Sequence, residues 1–112
     1  MTTAFADEAI RIRETGHLSD RDIARATGAA VSTVGAWIRR ARSPRGQRAE
    51  RLAELSAIVD RLADVMQPDY IPVWLHKPNV ALDDEKPIDV LARGDWKSVA
   101  RLISGLESPT FS

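Results

Sequence analysis

Apolar residues recur at helical spacing along most of the chain, and no stretch alternates with the period of two that a half-buried strand would show. Phe5, Ala9 and Ile12 stand at i, i+4 and i+7, which predicts a first helix over residues 3–15 with Gly16 as its stop. From Leu18 to Arg39 the chain carries the punctuation of two short helices meeting across a tight turn. Ser19 suits an N-cap, and Asp20 and Asp22 place negative charge in the first turn, where free N–H groups favour it. Ile23 and Thr27 share one face, Ala24 is small where a second helix must cross, and Gly28 can adopt the positive φ that ends the helix. Val31, Val34 and Trp37 then repeat at helical spacing, and Trp37 alone can bury roughly 150–250 Å² against the first helix of the pair. The stretch predicts a helix-turn-helix whose outward face presents Ser32, Thr33, Gly35 and Ala36. Small apolar residues at this spacing also fit any helical hairpin, but the turn glycine four residues after Ala24 favours the more specific motif.

A longer helix is predicted from Gln47 to Gln67. Leu52, Leu55, Val59, Leu62 and Met66 alternate by threes and fours, which suits either a seam between two protomers or a face packed on the chain's own domain. Ile58 and Val65 add a second apolar edge, so a mixture of the two is expected, and with it a homodimer or a higher-order complex. Beyond Pro68 the elements become short. Pro72 and Pro87 fit first turns of helices, Gly94 gives a turn, and Asp95 can cap a last helix with Val99, Leu102, Ile103 and Leu106 on one face. Pro109 closes that helix and leaves Thr110, Phe111 and Ser112 as a tail. The expected fold is all-α, divided into a helix-turn-helix domain (1–46), a connecting helix (47–67), a small helical domain (68–107) and a tail (108–112).

Charge adds to this picture through its distribution. The 112 residues have a formal net charge of zero, yet residues 1–56 hold ten Arg against seven acids and residues 57–112 hold six bases against nine acids. Two surfaces with different partners are implied. Immediately after the second helix of the pair, Arg39, Arg40, Arg42, Arg45, Arg48 and Arg51 face the single acid Glu50, around helix breakers at Ser43, Pro44 and Gly46. Arginines so crowded can simply be a solvated loop, but their mutual repulsion is relieved by an anion. A basic loop following a DNA-reading helix points to phosphate contacts from Arg39, Arg40, Arg42 and Arg45. With no cysteine, no N-terminal apolar run before a cleavage site and no stretch of eighteen apolar residues, a reducing cytoplasm is the expected compartment.

Catalytic chemistry finds no support. His17 and His76 sit in different halves without cysteine nearby, so no metal site is expected. Asp83, Asp84 and Glu85 lack the alternating oxygen spacing of a calcium loop and are expected to be solvated. There is no phosphate-cradling glycine loop before a lysine and no nucleophile elbow, so neither an enzyme nor a cofactor is expected.

Two likenesses extend this. Leu18 to Arg39 resembles the helix-turn-helix of phage-repressor-like (Xre-type) proteins, with Val31 to Trp37 opening the recognition helix. The segment VWLHKPNVALDDEKPIDVLARGDWKSVARLIS resembles the toxin-binding domain of the Xre/MbcA/ParS antitoxin family, through Trp74, Pro78, Asn79, Leu82, Pro87, Asp89, Leu91, Gly94, Val99 and Leu102. The resemblance implies an antitoxin that represses its own operon through operator DNA and neutralises a RES-domain toxin acting on NAD⁺. It further implies toxin contacts from Trp74, Pro78, Asn79, Pro87, Asp89, Trp96, Ser108, Thr110, Phe111 and Ser112, with Phe111 as the plug of the toxin's active site. Trp74 and Trp96 can equally be core of the small domain. A stand-alone helix-turn-helix regulator, or an interaction protein whose helix-turn-helix no longer reads DNA, are the other readings.

Overall fold

The computed structural model describes the backbone of residues 4–108 and the side chains of residues 7–108. Among the described residues the protein is all-helical: α1 (Ala4–Gly16), α2 (Asp20–Thr27), α3 (Val31–Ile38), α4 (Gly46–Val65), α5 (Ile71–Leu75), α6 (Pro87–Ala92) and α7 (Trp96–Glu107), with 3₁₀ turns at Pro68–Tyr70 and Val80–Leu82. An isolated bridge between Asn79 and Glu85 is the one extended pairing among these residues.

Local chemistry sets most of the boundaries. The Ser19 hydroxyl accepts the Asp22 N–H at 3.1 Å and starts α2, and Gly28, at φ 80°, ends it by donating its N–H to the Ala24 carbonyl. Asp95 caps α7 through the Ser98 N–H at 3.2 Å and the Ser98 hydroxyl at 2.6 Å. Pro72 and Pro87 stand in the first turns of α5 and α6, where no N–H is missed. Gly16 departs from expectation. It is the last residue of α1, and the left-handed turn falls on His17 (φ 57°). A Cβ on Gly16 would stand 2.7 Å from Val59 Cγ1, so this glycine permits the close crossing of α1 and α4. The expected contribution of Phe5 lies outside the described side chains.

α4 is the axis of the fold. Leu52, Leu55, Ile58, Val59 and Leu62 are all buried, and α1, α2, α5 and α7 of the same chain pack around them. Of the expected mixture, these residues take the part of a face packed on the chain's own domain: spaced by three and four, they have met partners within the chain. Only Val65, at the end of the second apolar edge, remains exposed. The buried cluster runs without a break from Ala9 and Ile12, through Ile23, Val34, Trp37 and α4, to Trp74, Leu75, Ile88, Val99 and Ile103. On α7 only Val99 and Ile103 are buried; Leu102 is half-buried and Leu106 exposed, since one edge of that helix meets α4 and α6.

Arg61 secures the far end of α7. It donates to both carboxylate oxygens of Glu107 at 2.8 and 2.6 Å, and to Ser104 Oγ at 3.0 Å. The hydrogen bond from Arg61 holds the Glu107 carboxyl below the usual carboxylate range. Arg93 does the same to Glu85, at 2.7 and 2.6 Å. A carboxyl lowered on folding stabilises above its unfolded value, and that contribution is lost as pH falls through the lowered one. Acidification from neutrality past about pH 4.3, the unfolded glutamate value, should loosen the last turn of α7, and Glu107→Gln should remove that pH dependence. Amide hydrogen exchange at Ser104–Glu107 across the acid range is the measurement, and unchanged protection in both proteins would refute the pair's role.

Candidate functional site: the helix-turn-helix face and the motif surface

α2 and α3 form the helix-turn-helix, with Val34 and Trp37 buried beneath it and Thr27 tied back to the Ile23 carbonyl at 2.7 Å. On α3 the outer face carries Ser32, exposed, and Thr33 and Gly35, half-buried. Ala36 was expected beside them and is buried at 6% exposure; the N–H groups of Ala41 and Arg42 bond its carbonyl where the chain leaves α3. Val31, which repeats with Val34 and Trp37 at helical spacing, is 49% exposed and joins Ser32 at the start of α3. Arg39 and Arg42 are exposed, as is Arg45 at the N-cap of α4; Arg40 pairs with Asp7 of α1 at 2.6 Å. Arg48 and Arg51 belong to α4, within the helix predicted from Gln47. Arg51 donates to the Ala92 carbonyl at the end of α6, 3.2 Å away.

The second half turns most of its motif inward. Trp74 is 9% exposed and its ring belongs to the core; Pro87 is buried at the start of α6. Asn79 caps the following 3₁₀ turn through the Ala81 N–H at 2.9 Å and pairs its backbone with Glu85. Asp89 receives the Arg25 Nε of α2 at 2.7 Å, and Asp22 meets His76 Nε2 at 2.8 Å, so two residues of the motif region bind the helix-turn-helix itself. Of the expected toxin contacts, Trp74 and Pro87 are thus shielded by packing, and Asn79 and Asp89 are engaged within the chain. Trp96 is half-buried and edges a cleft of about 260 Å³ with Ala53, Ala57, Ile58 and Arg61. Burial pushes up the carboxyl of Glu54, which also lines it. Pro78 and Ser108 are exposed; Thr110, Phe111 and Ser112 lie outside the described residues. What the sequence pattern did not single out is an exposed apolar set around the motif, comprising Tyr70, Val73 at 51% and Val80 at 84%. A valine in a polar, proline-punctuated stretch carries no signal of its own exposure. Among the described residues no group of three or more His, Cys, Asp or Glu side chains could hold a metal ion, and no helix is long and apolar enough to cross a membrane.

Comparison with known proteins gives this arrangement its relatives. Over 83 residues, 74% of this chain and 74% of the relative, the sequence is 31% identical to the mycobacterial cidal antitoxin MbcA of Mycobacterium tuberculosis. This chain belongs to the MbcA antitoxin family. The MbcA of Mycobacterium bovis matches to the same extent, and a probable mycobacterial cidal antitoxin of M. tuberculosis is 38% identical over 55 residues, 49% of this chain and 48% of the relative. No family model matches the chain. A chain in the crystal structure of the M. tuberculosis MbcT–MbcA toxin–antitoxin complex superposes with a TM-score of 0.85 at 26% identity, covering 99% of this chain and 100% of that one. The likeness in fold to that chain extends over nearly the whole of this one.

Proposed function

We propose that the protein is the antitoxin of a two-protein system, which binds and neutralises a cognate toxin similar to MbcT. The observation that carries this is the match over 99% of the chain to a chain of a solved toxin–antitoxin complex, joined to 31% identity with MbcA. It favours an antitoxin over a stand-alone regulator. The motif residues that are buried or engaged within the chain build the docking platform, and the exposed Tyr70, Val73, Pro78 and Val80 offer the apolar surface that a partner would cover. The toxin, on the family resemblance, is a RES-domain enzyme that consumes NAD⁺. The tail blocks it, with the Phe111 ring filling an apolar part of its cleft for about 1.5–3 kcal/mol if fully buried.

Repression of its own operon is the second part of the proposal. Ser32 and Thr33 offer hydroxyls to base edges, and Arg39, Arg42 and Arg45 supply phosphate contacts, so affinity should be strongly salt-dependent and base discrimination modest. The inward Ala36 and the acidic start of α2 favour a narrower alternative, in which the helix-turn-helix is scaffold only.

Co-expression with the neighbouring toxin gene, purified through a tag on one partner, tests the pairing; failure to recover a complex would sink it. In the same system, removing Ser108 to Ser112 should leave binding intact, since the helices end before it. NAD⁺ consumption at matched, saturating antitoxin should be inhibited less by the truncated chain and by Phe111→Ala than by the full chain. Equal inhibition by all three would assign the block to the folded part.

A further inference from the structure

Where the turn after α2 faces the start of α4, Arg45, Arg48 and Arg51 line one concavity of about 370 Å³, together with Thr27, Gly28 and Gln47. Three guanidinium groups share this lining, and no carboxylate belongs to it. Several arginines elsewhere are matched, among them Arg25 with Asp89, Arg61 with Glu107 and Arg93 with Glu85; of the described residues, those that are not, Arg21, Arg39, Arg42 and Arg101, do not line this concavity. Among the described residues, Arg45, Arg48 and Arg51 form no salt bridge, although Arg51 draws on the Glu54 carboxylate from a distance. Arg48 Nε reaches the Gly28 carbonyl at 3.4 Å and Arg51 the Ala92 carbonyl at 3.2 Å. A carbonyl fixes the direction of a guanidinium without cancelling its charge. The three cations therefore repel one another across a concave space, and an oxyanion with several acceptor atoms relieves that repulsion while accepting from more than one fork.

We infer that Arg45, Arg48 and Arg51 form a seat for a phosphate group, filled by the backbone of a DNA duplex. Gly28 precedes Val31, the first residue of α3, by three residues, and three extended residues span at most about 11 Å. The seat thus flanks the start of the helix that would enter the groove, where a strand's phosphates pass. The duplex as source rests on the operator-binding part of the proposed function; the phosphate chemistry does not.

The test uses the full chain and ¹⁵N spectra of its arginine side chains and amides. Inorganic phosphate, titrated against chloride at constant ionic strength, should give saturable shifts at Arg45, Arg48, Arg51 and Gly28. The Arg45→Gln/Arg48→Gln variant should bind phosphate about tenfold more weakly, as expected for loss of charge-assisted donors; Arg48→Gln alone serves if the double variant does not fold. Arg51 is left in place because it holds α6. In a second arm, binding to a short mixed-sequence duplex should show a log K against log salt slope about one to two units shallower in the variant. A shallower slope identifies the duplex as source; saturable phosphate shifts with an unchanged slope support the seat and assign it to a free phosphate or a small phosphate ester. Shifts spread equally over Arg39, Arg42 and Arg101, or no shift together with an unchanged slope, overturn the seat. Toxin inhibition by the variant is unchanged in every case, so failure here is distinct from failure of the antitoxin assignment.

Discussion

Val59→Asp should unfold the protomer, and should do so whatever the protein's oligomeric state. Val59 is buried between α1 and α4, with Gly16 so close that even a methyl group there would overlap its Cγ1. The cluster it belongs to is apolar, and Arg11 of α1 is already engaged by Ser56 and Asp60, so an aspartate would bring in a buried charge with no partner of its own. Such a charge costs about 3–5 kcal/mol, a large part of the 5–15 kcal/mol that holds a typical domain together. Helical circular dichroism and the urea midpoint measure the outcome. A variant that keeps its midpoint but loses self-association would return Val59 to an interface between protomers and contradict the packing described for α4.

Trp74→Ala should cost about 3–5 kcal/mol, the usual range for emptying a large aromatic site in a core. At roughly 4–8 °C for each kcal/mol in a small domain, the melting temperature should fall by tens of degrees. Toxin capture would be lost with it, as a result of unfolding and without any direct contact from the ring. Val80→Ser, at the most exposed large apolar residue of the motif region, should change stability by less than about 0.5 kcal/mol. Thermal melts of both variants beside pull-down with the toxin separate the two roles. An unshifted melt for Trp74→Ala would place the indole at the surface.

The features legible in the sequence were those written in neighbouring residues. Ser19, Gly28, Asp95 and Pro87 act within four positions of themselves, and their chemistry is the same in any chain, so the caps, the turn and the all-helical class followed from them. The partner of an apolar helix face is not local. Leu55, Val59 and Leu62 would look the same whether they met a second copy or α1, and only the folded chain decides between these. Asp89 shows the same limit: its family resemblance is in the sequence, but its ion-pair partner Arg25 lies 64 positions away. Ala36 differs for a smaller reason: its spacing put it on the outer face, but a helix face has an edge, and Ala36 falls on the buried side of it. The resemblance gave the order of the motif residues without saying which of them served the fold and which faced outward, and most of those described serve the fold.

The packing of α2 on α4 and α6, with the links from Asp22 to His76 just after α5 and from Arg25 to Asp89, ties the helix-turn-helix to the second half of the chain. It is carried as a fixed attachment of the half that would meet the toxin. If a partner gathers two copies, the distance and rotation between their α3 helices are then dictated by that partner, and no flexible linker can absorb an error. A palindromic site needs its half-sites about one helical turn, some 34–36 Å, apart or at multiples of that. The spacing of any operator read in this way would be a property of the assembled complex, inherited from the toxin's own shape.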